Sequence, residues 1–107
     1  MEEELMNLGE HSYKRLPERT TKKGWDMVQH MRGVRAVVYC GLQDGKCLRY
    51  EVFIIKKHNG RKFRGIDVPP GEYFPGDESF GQWAFCYSGN GPGLMAALRR
   101  FEELEAG

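Results

Sequence analysis

The sequence predicts an α+β fold: a single antiparallel sheet, a meander of three strands plus one or two more, with a C-terminal helix packed on one face. Three observations lead there. Two runs rich in β-branched and aromatic residues, 34–42 and 47–57, flank Asp44-Gly45. Such a pair between strands marks a type I′ hairpin, because both central residues must take positive φ. A second pair of this kind, Asn59-Gly60, joins the second run to 61–68. After Pro92, the residues Leu94, Leu98, Phe101 and Leu104 recur at helical spacing.

In chain order, residues 1–24 read as a flexible charged arm and 25–107 as one α+β domain. Glu2 to Leu8 allows a short helical turn that Gly9 stops, and 11–23 is polar, basic and broken by Pro17. Trp25 opens the core. The segment 25–31 fits a first strand and fits a short helix nearly as well. A two-residue loop at Asp44-Gly45 pairs Tyr39 with Tyr50 and Val37 with Val52, which puts both pairs on one buried face. Residues 69–81 form a turn-rich loop, and Gln82–Tyr87 a further strand with Trp83, Phe85 and Tyr87 on one side. Pro92 suits the first turn of a helix, where its missing N–H costs nothing. The helix stripe of Leu94, Leu98, Phe101 and Leu104 is expected to face Val37, Tyr50, Val52, Ile54, Trp83 and Phe85 or their neighbours.

At 107 residues, with 40% hydrophobic and 12% aromatic content, the chain suits one folded core. No apolar run approaches a membrane span. The N-terminus is acidic and has no apolar leader stretch, so the expected location is cytoplasmic, without a membrane partner. The three cysteines, Cys40, Cys47 and Cys86, form no CxxC and are an odd number, which favours free, partly buried thiols in a reducing compartment. Cys40 and Cys47 approach each other across the first hairpin. Cys86, between Phe85 and Tyr87, reads as a small buried thiol.

The formal net charge of +1 hides a strong segregation. Residues 1–10 carry four acids and no Lys or Arg. Residues 11–64 hold fourteen of the sixteen basic residues against four acids, a net of +10, and 65–107 carry −5. Such asymmetry points to a polyanion partner. Lys56, Lys57, Arg61, Lys62 and Arg64 surround the turn read at Asn59-Gly60 and form a basic tip able to grip phosphates, with Phe63 placed to stack on a base. Lys22, Lys23, Arg32 and Arg35 support them. Lysines on exposed strands also block edge-to-edge pairing, which is the structural alternative.

Other chemistry finds little support. The glycine-rich turn 89–93 lacks the Lys-Ser or Lys-Thr of a phosphate loop, so no cofactor is expected. No His or Cys pair shows zinc spacing. No nucleophile, base and acid assemble into a catalytic set, so no enzyme is expected. In outline, the strands, basic hairpin and C-terminal helix resemble the small sheet-plus-helix DNA-binding modules of some integrases and plant transcription factors, which implies a DNA partner. A double-stranded-RNA-binding domain is similar in its sheet and final helix, but begins that helix with lysines where this chain has Pro92-Gly93-Leu94-Met95. The expected function is therefore a non-enzymatic binding domain that contacts DNA or RNA. The alternative is a protein-interaction or self-association module with Trp25, Tyr73, Phe74 and Phe80 as anchors.

Overall fold

A computed structural model describes residues 13–89 and 91–107. They fall into two compact units: one contains Lys56–Phe74 with the chain up to Leu16, the other Pro17–Ile55 with Pro75–Gly107.

The larger unit is the predicted α+β sheet. Its strands are β1 (Arg19–Lys22), β2 (Trp25–Arg32), β3 (Ala36–Gln43), β4 (Lys46–Ile54) and, after the smaller unit, β9 (Ala84–Ser88). They lie in the order β1-β2-β3-β4-β9, each pair antiparallel. Helix α1 (Pro92–Ala106) packs on β3, β4 and β9. Arg19–Lys22, read from composition as part of the arm, is instead a paired strand. The expected helical turn at Glu2–Leu8 lies outside the described residues.

Two tight turns in this unit obey one rule. Lys23-Gly24 joins β1 to β2 and Asp44-Gly45 joins β3 to β4, with φ of 53° and 82°, and of 52° and 75°. Both are two-residue loops with positive φ at both positions, the requirement of a type I′ turn.

The register of β3 on β4 departs from expectation. Gln43 pairs with Lys46 and Leu42 with Cys47, but Gly41 then pairs with Arg49, leaving Leu48 as an extra residue on β4. This is a β-bulge, and a one-residue shift exchanges the faces of everything beyond it. Tyr39 therefore pairs with Glu51 and Val37 with Phe53, not with Tyr50 and Val52.

On the helix side, Val38, Tyr50, Val52 and Ala97 form a buried cluster, with Leu94, Phe101, Leu104, Tyr87, Cys40 and Cys47 packed against it. Val38 takes the place expected of Val37, and Ala97 is the buried centre of the stripe while Phe101 is half-buried. Cys40 and Cys47 are not free thiols: they are joined as a disulfide, their Cα atoms 5.9 Å apart. They form a diagonal pair on the face that the helix covers.

The other face stacks Tyr39 on Phe53 at 5.8 Å between centroids. The Tyr39 hydroxyl donates to the Pro17 carbonyl and accepts from Gln29 Nε2.

The helix is held at both ends. Gly93 lies so close to Ser88 that a Cβ would meet its carbonyl oxygen at 2.4 Å. Near the C-terminus, Glu105 accepts from the backbone N–H groups of Val34, Arg35 and Ala36 at 3.0, 2.7 and 2.6 Å. These amides lie in the β2–β3 connection, closed by Gly33 N–H donating to the Ala36 carbonyl. Desolvation pushes the Glu105 carboxyl upward, but the three amides and the nearby Arg35 outweigh it and hold its pKa below the ordinary 4.5.

The smaller unit is a pair of short ladders. β5 (Lys56–His58) pairs with β8 (Gly71–Tyr73), and β6 (Arg61–Phe63) pairs with β7 (Ile66–Val68). Lys14 runs beside Gly71, and a Cβ there would meet the Lys14 carbonyl oxygen at 2.5 Å. Glu72 accepts from Leu16 N–H at 2.9 Å and from the Tyr13 hydroxyl at 3.2 Å. The turn at Asn59-Gly60 does not form the expected hairpin, because Asn59 stays out of the left-handed region and Gly60 N–H donates to His58 Nδ1 at 3.2 Å. Arg64-Gly65 forms it instead, with φ of 52° and 78°. The third strand of the expected meander is thus a separate hairpin.

The Glu105 contact predicts a pH dependence. A carboxyl whose pKa falls on folding stabilises the fold above its unfolded value of about 4.5 and loses that contribution as pH falls through the folded value. In thermal melts, the midpoint of the native chain should fall more steeply below pH 4.5 than that of Glu105→Gln. Parallel curves would show that the contact contributes nothing.

Candidate functional site

The nine basic residues singled out by charge do not share one surface element. Lys22, Lys23, Arg32 and Arg35 belong to the larger unit, and Lys56, Lys57, Arg61, Lys62 and Arg64 to the smaller one. Lys56 and Lys57 lie on the β5–β8 ladder, while Arg61, Lys62 and Arg64 lie on the β6–β7 hairpin or its turn. The expected single basic tip is therefore two structures, since the tight turn falls at Arg64-Gly65. Lys57, Lys62 and Arg64 are exposed, and Lys56 is half-buried. The Arg61 and Phe63 side chains lie outside the described residues. The hairpin is exposed at Lys62 and at every position from Arg64 to Asp67, and Ile66 is 67% exposed.

Lys22 and Lys23 serve a different site. Alternation puts Lys22, Trp25, Gly41, Arg49, Glu51 and Cys86 on the sheet face away from the helix. Strand pairing sets Lys22 against Trp25, Gly41 against Arg49, and Glu51 against Cys86. Glu51 is 3% exposed. It accepts from Lys22 Nζ and from Arg49 Nη2, each at 3.0 Å. A buried carboxylate needs such partners, because desolvating an uncompensated charge costs several kcal/mol, on the order of 3–5 when one partner is removed.

Aromatic rings back both cations. The Arg49 guanidinium lies 5.1 Å from the Trp25 ring, and Lys22 Nζ 5.2 Å from the Phe80 ring. Phe80 comes from the loop before β9, just after a short 3₁₀ turn, Asp77–Ser79. From that turn Asp77 ion-pairs with Lys23. The hydrogen bond and charge of Lys23 hold the Asp77 carboxyl below its usual value. Together these groups border a cleft of about 310 Å³.

Cys86 lies on its wall and is exposed, not buried as expected. The edge strand β9 turns Phe85 and Tyr87 toward the helix, where Arg100 stacks on Phe85 at 4.1 Å and donates to the Tyr87 hydroxyl at 2.9 Å. Cys86 must then face the other way.

Gly41 makes this arrangement possible. A Cβ there would lie 2.6 Å from Arg49 Cγ and 3.2 Å from the Trp25 ring. A side chain on β3 would fill the space where Arg49 crosses toward the indole.

No sequence pattern announced the cleft, whose residues come from four strands, the β1–β2 turn and the loop before β9. Its visible trace is a lone acid, Glu51, on a strand otherwise rich in apolar residues. Among the described residues, no group of His, Cys, Asp and Glu is arranged to hold a metal ion, and no helix is long and apolar enough to cross a membrane. In comparisons with known proteins, no family model, curated protein or solved structure matches the chain.

Gly41→Ala should therefore destabilise the fold. Relief of glycine's backbone entropy contributes about 0.5–1 kcal/mol in the opposite direction, but overpacking costs about 1–3. Denaturant unfolding should show a net loss of about 1–2 kcal/mol. A gain in stability would mean that Arg49 moves aside freely.

Proposed function

We propose that the protein is a non-enzymatic binding domain that contacts nucleic acid through the β6–β7 hairpin. The observation that carries this reading is the exposure of a basic hairpin with a positively charged residue at its turn. Lys62 and Arg64 are exposed beside the Arg64-Gly65 tip. A two-stranded ribbon of this width fits a major groove. Lys57, Lys14 and Arg15, also exposed, add positive charge to the same unit. Residues 13–16 and 56–74 hold seven basic residues and two acids, a net of +5. Of those acids, Glu72 is engaged by Tyr13 and Leu16. Arg61 belongs to the reading through its place on β6. Arg32 and Arg35 lie at the β2–β3 end of the other unit and are supporting contacts at most.

A second reading, docking on a protein or on another copy of the chain, is favoured by Ile66. A large apolar side chain 67% exposed on a hairpin is a suitable anchor. Under that reading, Ile66→Asp and not charge reversal abolishes association in sedimentation.

Binding to mixed-sequence duplex DNA and RNA across a salt series tests the proposal. Each phosphate contact steepens the slope of log K against log salt by about 0.9 on B-DNA. The double variant Lys62→Glu, Arg64→Glu should lower affinity at least about tenfold and flatten the slope by about two. Absence of binding at low salt, or a variant indistinguishable from the native chain, would contradict it.

A further inference from the structure

We propose that the cleft beside Glu51 is a binding site for a small organic monoanion: a carboxylate carried on a flat, apolar body. The proposal is independent of the hairpin and concerns the larger unit alone.

Charge arithmetic supports the anion. Among the described residues, Lys22 and Arg49 share one buried carboxylate, Glu51, which leaves one excess positive charge in this cluster. At the rim, Lys23 and Asp77 neutralise each other. Among the described residues, Arg49 Nε is buried without a hydrogen-bond partner. Buried donors are rarely left so, because each pays the full cost of leaving water with no bond in return. A monoanion matches the single excess charge. A phosphate dianion would overcompensate it and face Glu51 at close range.

Shape and lining support the flat body. Trp25 and Phe80 border the cleft and present ring surface beside the two cations. A volume of about 310 Å³ lies at the small end of the range for ligand pockets, about 300–1,000 Å³. A few convergent polar groups between apolar walls are the usual makeup of such sites. Attraction to the excess charge is strengthened by the low-dielectric ring walls.

Cys86 supplies a reporter, because it is exposed on the cleft wall. Its alkylation by the neutral reagent iodoacetamide, followed by site-resolved mass analysis, should slow saturably when benzoate is added to the full-length protein. Benzylammonium, equally flat but cationic, should give no protection. The side-chain N–H resonances of Trp25 and Arg49 should shift along the same titration. Glu51→Gln raises the excess charge from one to two and should tighten benzoate about tenfold, whereas loss of a merely structural carboxylate would weaken it.

If Glu51→Gln does not fold, Arg49→Gln and the wild-type titration still decide the matter. Arg49→Gln should lose the protection. Equal protection by benzoate and benzylammonium would overturn the anion assignment. Protection by inorganic phosphate as strong as by benzoate would overturn the apolar half. No protection at millimolar benzoate would overturn the site.

Discussion

The single extra residue at Leu48 determines which side chains meet which partners. A hairpin without the bulge would pair Tyr39 with Tyr50, and every residue of β3 before Gly41 would face the opposite neighbour. With it, Val38, Cys40, Tyr50 and Val52 share the helix face. Val37, Tyr39, Glu51 and Phe53 share the other. The helix can then cover the Val, Tyr and sulfur-lined surface, while Glu51 goes where Lys22 and Arg49 can reach it. A strand period of two makes this choice all or none.

The charge segregation acquires a physical meaning from the two units. Much of the basic excess of the larger unit is consumed internally: Lys22 and Arg49 compensate one buried acid, and Lys23 pairs with Asp77. In the smaller unit Glu72 accepts from backbone and hydroxyl donors, while Lys14, Lys57 and Lys62 are exposed. Equal-looking basic residues in the sequence thus divide into those that stabilise the fold and those that are open to an external partner. Sequence alone could not separate them, because Glu51 and Asp77 lie 29 and 54 positions away from the lysines they neutralise.

Much of the architecture was legible from local pattern. The β3–β4 hairpin followed from Asp44-Gly45, the last strand from its alternating aromatics, and the helix from its spacing after Pro92. What escaped was of two kinds. Lys23-Gly24 and Arg64-Gly65 make type I′ turns without the Asn or Asp that usually marks one, whereas Asn59-Gly60 carries the mark without making the turn. That choice depends on His58, which takes the Gly60 amide, and on the pairing of β5 with β8. The bulge, the strand β1 and the cleft were hidden for other reasons. β1 is joined to β2 by the unmarked Lys23-Gly24 turn, and the bulge lies inside a hairpin whose local pattern fits an unbulged register equally well. Only the cleft depends on contacts between segments far apart in sequence.

The register of β3 on β4 carries the whole account, and cross-strand proton contacts measured by NMR test it most directly. The account predicts backbone contacts between Tyr39 and Glu51 and between Val37 and Phe53, with Leu48 unopposed. Contacts between Tyr39 and Tyr50 and between Val37 and Val52 would contradict it. They would move Glu51 to the helix face and dissolve the cleft.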